Sequence, residues 1–144
     1  MKTIKIHFTL AVEDGFPPIG VETLNARVCS DGAYEILNTP FFVKETAYND
    51  IVGAELSDDG RLEFRECMEP SSFKAIAIIL LDEEIRSALI NDFQGRNCII
   101  EYGEFSGYRM LAIAIPESTD YATIEAFLVE YEKNSRLSYA ELVA

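Results

Sequence analysis

One histidine, His7, and three cysteines, Cys29, Cys67 and Cys98, are the residues of this chain best suited to nucleophilic or general-base chemistry. That chemistry needs a base held beside a nucleophile and oriented by a third group. No nucleophile elbow or family signature frames any of the four. His7 sits at a polar position of an alternating segment and reads as a surface histidine. The cysteines are odd in number and far apart, with no C-x-x-C. A disulfide framework or zinc site is not expected. Each cysteine lies on a strand-like segment and reads as a small buried hydrophobe. One histidine and scattered carboxylates do not make a metal site. Gly103-Glu104-Phe105-Ser106-Gly107 lies between two strands, not before a helix, so it is a hairpin tip and not a phosphate loop. No catalytic residue, metal or cofactor is assigned.

The acidic residues are the stronger signal. The 144 residues carry 25 Asp and Glu against 12 Lys and Arg, a formal charge of −13. The excess is spread, −7 over residues 1–72 and −6 over 73–144. Nucleic acid and anionic membranes reward the opposite sign and are excluded as partners. An acidic surface suits a basic protein partner, because complementary charge speeds association and selects the partner. Aromatic anchors carry much of the energy of such contacts. The hairpin at Glu101, Tyr102, Glu104, Phe105 and Tyr108 mixes acid with aromatics and is the expected partner-binding surface. Reversing Glu101 and Glu104 to Lys should then abolish capture without lowering stability.

The elements that position these residues can be read from periodicity. Ile4, Ile6, Phe8, Leu10 and Val12 alternate with polar or small residues, as in a half-buried strand. Leu24, Ala26 and Val28 share one face of a second strand. Ser30-Asp31-Gly32 turns into a third at Tyr34–Leu37, and Ile51–Leu56 pairs with Arg61–Cys67 through Ser57-Asp58-Asp59-Gly60. Residues 1–70 therefore read as an SH3-like or partial-barrel β-meander. Between the hairpins lies Asn38-Thr39-Pro40-Phe41-Phe42. Pro40 keeps Thr39 from helical angles, and Asn38 is suited to bond back to the loop backbone. Either both phenylalanines staple this loop to the core, or one faces a second layer or a partner.

Residues 73–144 read as strand–helix–strand–strand–helix–strand. The first helix follows Asp82, with a stripe of Leu81, Ile85, Ala88, Leu89 and Phe93; the second follows Asp120, with Tyr121, Ile124, Phe127, Leu128 and Tyr131. This is the ferredoxin-like order, so the fold class is α+β. Its central strands, Ala75–Leu80 and Met110–Ile115, are apolar on both faces, but two helices cover one face only. The N-terminal β-region or a second copy of the chain must cover the other. Glu69-Pro70-Ser71-Ser72 is too short for a free linker.

Asn38-Thr39-Pro40-Phe41-Phe42 and Asn49-Asp50-Ile51-Val52 resemble the Asn-x-Pro-Phe-Phe centre and Gly-Asp-x-Val step of a bacterial family of unknown function, made of short acidic cytoplasmic proteins. The resemblance runs from the Glu22 region to Tyr139-Ala140-Glu141. Asn49 replaces the family's Gly, and Asn is the next-best residue for positive φ. The family's Trp near Asn25 is absent. The resemblance implies no activity.

A non-enzymatic protein is expected, monomeric or homodimeric. The first reading is an acidic cytoplasmic immunity protein or inhibitor that neutralises a basic toxin. The second is a small-molecule-binding regulatory module of ferredoxin-like type. A cytoplasmic location is expected because the first residues alternate instead of forming an apolar signal core, and no run reaches the roughly 18–20 apolar residues of a membrane span. A third reading, an enzyme, is disfavoured by the poor catalytic inventory, and a closed, convergent polar pocket around His7 or a cysteine would favour the second or the third. A shallow acidic, aromatic surface would favour the first.

Overall fold

Alternation in the first segment produces a strand whose inward residues, Ile6 and Phe8, are buried. A computed structural model describes residues 3–144. Met1 and Lys2, part of the alternating N-terminal segment, lie outside the described residues. Strands β1 (Thr3–Thr9), β2 (Val21–Ser30), β3 (Ala33–Ile36), β4 (Ile51–Leu56) and β5 (Leu62–Glu69) follow one another as antiparallel neighbours. The partial barrel expected from sequence is closed: β1 meets β5 in parallel at Ile6–Leu62 and His7–Glu63. Closure removes the exposed edges that an open meander would leave. Two expected inward residues are outside. Val12 lies beyond the end of β1, and Val28 is 54% exposed. Among the described residues β1 pairs with β2 from Val21 to Arg27, and the β2–β3 register shifts in a bulge between Val28 and Ser30.

The second half forms β6 (Lys74–Leu80), α1 (Arg86–Gly95), β7 (Ile99–Phe105), β8 (Tyr108–Ile115), α2 (Tyr121–Lys133) and β9 (Leu137–Val143). The sheet is antiparallel in the order β7-β8-β6-β9, so the two apolar runs are its central strands. The architecture is mixed α+β, with two sheets of nine strands together and two short helices among the described residues. None of those helices is long and apolar enough to cross a membrane.

Asp82 and Asp120 act at the helix starts, accepting hydrogen bonds from the backbone N–H of Glu84 and Ala122. The chain first makes a 3-10 turn (Glu83–Ile85), so α1 starts later than expected. Leu81 precedes that turn and is exposed, as is Ala88; Ile85, Leu89 and Phe93 carry the contact. In α2, Ile124 and Leu128 are buried, with Tyr121, Phe127 and Tyr131 half-buried around them.

The sheet's two faces differ in side-chain size. Ile76, Ile78, Leu80, Leu111, Ile113 and Ile115 pack beneath the helices. On the opposite face, Ala75 pairs with Ala114 and Ala77 with Ala112, and all four are buried. Small side chains let another layer approach closely. That layer comes from the N-terminal half: Phe42 and Ala47, between β3 and β4, pack with Ala75, Ala77, Met110 and Leu142. The requirement for cover on the second face is met within the chain.

Candidate functional site

The segment from residue 38 to 50 is buried but irregular, with Thr39, Phe42, Val43, Thr46, Ala47 and Asp50 all nearly inaccessible. Buried backbone without sheet partners needs other hydrogen bonds. Carboxylates supply them. Glu22, on β2, accepts from Phe41 N at 2.7 Å, Phe42 N at 3.0 Å and Val43 N at 2.9 Å. Asp50 accepts from Ala47 N and Ser71 N. Glu101, on β7, accepts from Thr39 N at 2.7 Å and Asn38 Nδ2 at 3.0 Å. Asn38 Oδ1 accepts from Asn25 N. Asn38 therefore ties the loop to both sheets and does not bond back to its own turn. Asn49 adopts φ 69°, a conformation that Asn tolerates better than most residues.

Glu22 is 5% exposed. Burial pushes its carboxyl above the usual range, against the lowering effect of the three N–H donors; the charge of Glu101 pushes the same way as burial. Sequence reading missed Glu22, although a signal existed. It stands two residues before Leu24 and four before Ala26, at an inward position of the same alternation.

The structure divides the expected partner-binding hairpin. Ser106 and Gly107, both at positive φ, form its two-residue turn. Tyr102 and Tyr108 are each 38% exposed, and Glu104 is exposed. The Tyr102 hydroxyl donates to Glu104 Oε1 at 2.7 Å, which raises the pKa of the phenol, and the Arg86 guanidinium lies 4.4 Å over its ring. Glu101 and Phe105 do not present themselves to a partner in this way. Glu101 faces the loop, and Phe105 packs on Phe41 and Phe42 with ring centres 5.0 and 5.1 Å away. Both phenylalanines staple the loop, and Phe41 is only half-buried. Gly103 allows this approach: a Cβ there would stand 2.9 Å from the Phe105 ring and 3.1 Å from that of Phe41.

The cysteines do not share one environment. Cys98 is buried, and burial pushes its thiol up to about 11. Cys29 and Cys67 are exposed, contrary to expectation. Cys29 lies at the bulge of β2 between Val28 and Ser30, and Cys67 on the outer stretch of β5. Burial, then Asp50, raises the Cys67 thiol. No group of three or more His, Cys, Asp or Glu able to hold a metal ion occurs among the described residues.

His7 occupies the barrel seam, with Nδ1 3.2 Å from the Leu62 carbonyl oxygen, which accepts when Nδ1 carries the proton. It also lines a cleft of about 850 Å³ between barrel and sheet. Phe42, Ala77, Met110 and Leu142 give the cleft apolar lining, and β1, β5 and β9 wall it. His7, Lys44 and Glu63 bring polar groups to it. Clefts of this size and character hold small ligands in many proteins.

No curated protein matches the chain. A solved structure described as a novel crystal structure of a hypothetical protein from Neisseria gonorrhoeae shares the fold, with TM-score 0.80 and 23% identity over 99% of this chain and 96% of that one. Neither this neighbour nor the matching family indicates an enzyme. Residues 22–139, which span the loop, its carboxylate partners and both central strands, match a domain of unknown function; the chain belongs to the DUF4265 family.

Proposed function

We propose that this is a non-enzymatic binding protein that takes a small amphipathic molecule into the cleft between barrel and sheet. The carrying observation is the cleft itself, about 850 Å³ with an apolar lining and polar groups at His7, Lys44 and Glu63. An apolar body would lie against Ala77 and Met110, and a polar head would face those three side chains. In the same reading, residues 1–70 and 73–144 are two subdomains, the first SH3-like and the second ferredoxin-like. Strand order β7-β8-β6-β9 supports the second. Asn38–Phe42 is taken as the family's hallmark, since its backbone is what the carboxylates hold. Three unpaired cysteines support a reducing, cytoplasmic setting.

Fluorescence of 8-anilinonaphthalene-1-sulfonate, an apolar anion that brightens in dry sites, tests the cleft. Ala140 lines it from the exposed side. Saturable brightening that Ala140→Trp abolishes, with an unchanged melting temperature, is expected. Equal brightening in both proteins would refute the site.

A second reading rests on the charge of −13 and the exposed Tyr102, Glu104 and Tyr108: an immunity protein for a basic toxin. A secreted toxin encoded beside this gene, whose lethality the chain suppresses and Glu104→Lys with Tyr108→Ala does not, would support it. Full suppression by that variant would remove the hairpin from the contact.

A further inference from the structure

A second cavity, about 400 Å³, opens on the other side of the loop. Glu22, Thr39 and Glu101 line it together with Phe41 and Phe105. Three features set it apart from an ordinary surface dimple.

The first is uncompensated charge. Glu22 and Glu101 approach the same loop from two sheets, and neither has an ion-pair partner among the described residues. Drawing carboxylates out of water without a counter-ion is costly. The second is spare acceptor capacity. A carboxylate offers about four lone-pair positions. Glu22 receives three hydrogen bonds and Glu101 two, so both have room for further donors. The third is an orphan. Thr39 is 1% exposed, and its Oγ1 has no hydrogen-bond partner. Buried hydroxyls are nearly always satisfied, so an unpartnered one at the wall of this cavity marks an unmet polar group there.

We propose that this cavity receives a guanidinium group, with Glu101 as its main counter-ion, Thr39 Oγ1 as an acceptor and the Phe41 and Phe105 rings as apolar walls. A guanidinium is planar, carries five N–H donors, pairs with carboxylates along two bonds and tolerates aromatic walls. An ammonium is more strongly hydrated and has no flat face to lay on a ring. A metal ion is not favoured, since no group of three or more His, Cys, Asp or Glu able to hold one occurs among the described residues. The site shares the Phe41 ring with the larger cleft but otherwise has its own lining, and its ligand has the opposite chemistry to an apolar anion. The guanidinium comes either from a small molecule or from an arginine of a partner protein.

Backbone amide NMR shifts of the full chain, recorded during titration with methylguanidinium chloride, test this. Saturable shifts at Thr39, Phe41 and Glu101 are expected, with methylammonium about tenfold weaker. Glu101→Gln keeps an acceptor for the loop but loses the charge and should weaken binding about tenfold, the value of one charge-assisted contact. Thr39→Val removes the orphan hydroxyl at constant shape. It should weaken binding while raising the melting temperature by about 2–4 °C, because a buried unmet group is relieved. A purely structural threonine would not show that opposition. A capped arginine peptide that binds more tightly than methylguanidinium, and loses binding when arginine becomes citrulline, assigns the source to a partner protein; equal affinity assigns it to a small molecule. Absence of saturable shifts, or shifts unchanged in Glu101→Gln, overturns the proposal. That result would leave the larger cleft untouched if the anilinonaphthalene probe still enters it.

Discussion

The side-chain amide of Asn38 donates to the carboxylate of Glu101 at 3.0 Å, joining the loop of the barrel to an edge strand of the sheet. The same carboxylate takes the Thr39 N–H at 2.7 Å. Glu101 is thus a structural link between the two halves, which changes what its replacement should do.

Glu101→Lys removes both acceptors and places a cation against two donors. We expect a loss of about 1–3 kcal/mol, since buried donors left unmet cost about that much. Glu104→Lys, at an exposed position, should stay within about 0.5 kcal/mol of the parent. Urea unfolding of the two variants checks this contrast. Equal stability would mean that the loop does not depend on Glu101, and would restore the expectation that both residues can be reversed without penalty.

Gly103→Ala should destabilise by about 1–3 kcal/mol, as overpacking usually does. The new methyl would press on the Phe105 and Phe41 rings, which are packed against each other with centres 5.0 Å apart. Thermal unfolding gives the answer. A neutral substitution would show that the rings move aside freely.

Thiol chemistry should separate the cysteines. Native protein treated with Ellman's reagent near pH 8 should release two equivalents, from Cys29 and Cys67, with Cys67 slower because burial and Asp50 raise its thiol. Cys98, held near 11, should react only after unfolding. Three fast equivalents would contradict the buried placement of Cys98.

Two carboxyls should titrate in opposite directions. Glu22 lies above its ordinary 4.5 because of burial. The native state therefore holds this proton more tightly than the unfolded chain. The stability it contributes is full below about 4.5 and is lost as pH rises through the higher native midpoint. Asp82 lies below its ordinary 3.8, through the Glu84 N–H and then Arg136, so its contribution is present above that value and lost as pH falls. Carbon-13 NMR of the side-chain carboxyls should give midpoints on opposite sides of those values. A Glu22 midpoint at or below 4.5 would mean that the three N–H donors outweigh burial.

Much of the fold was legible because it is written in local periodicity. Ile4, Ile6 and Phe8 announce a half-buried strand, and Ala75–Leu80 a central one. The alternation of isoleucine with alanine in β6 even carries the two-faced packing, with large side chains toward the helices and small ones toward the loop. Leu81 was misassigned because a 3-10 turn delayed the helix, a difference that the 3–4 spacing does not reveal. Glu22 was legible in principle, as a charge in an inward register. Its three N–H donors come from a loop about 20 residues away, and no pattern within β2 encodes them. The larger cleft was not legible, since its walls come from β1, β5 and β9, which only the tertiary arrangement brings together.

The cleft between barrel and sheet is proposed to bind a small amphipathic ligand. The most direct test of that binding is an amide NMR titration with 8-anilinonaphthalene-1-sulfonate. The account predicts saturable shifts centred on Thr9, Ala77, Met110 and Ala140, absent in Ala140→Trp. Shifts confined to Tyr102–Tyr108, or none that saturate, would contradict it.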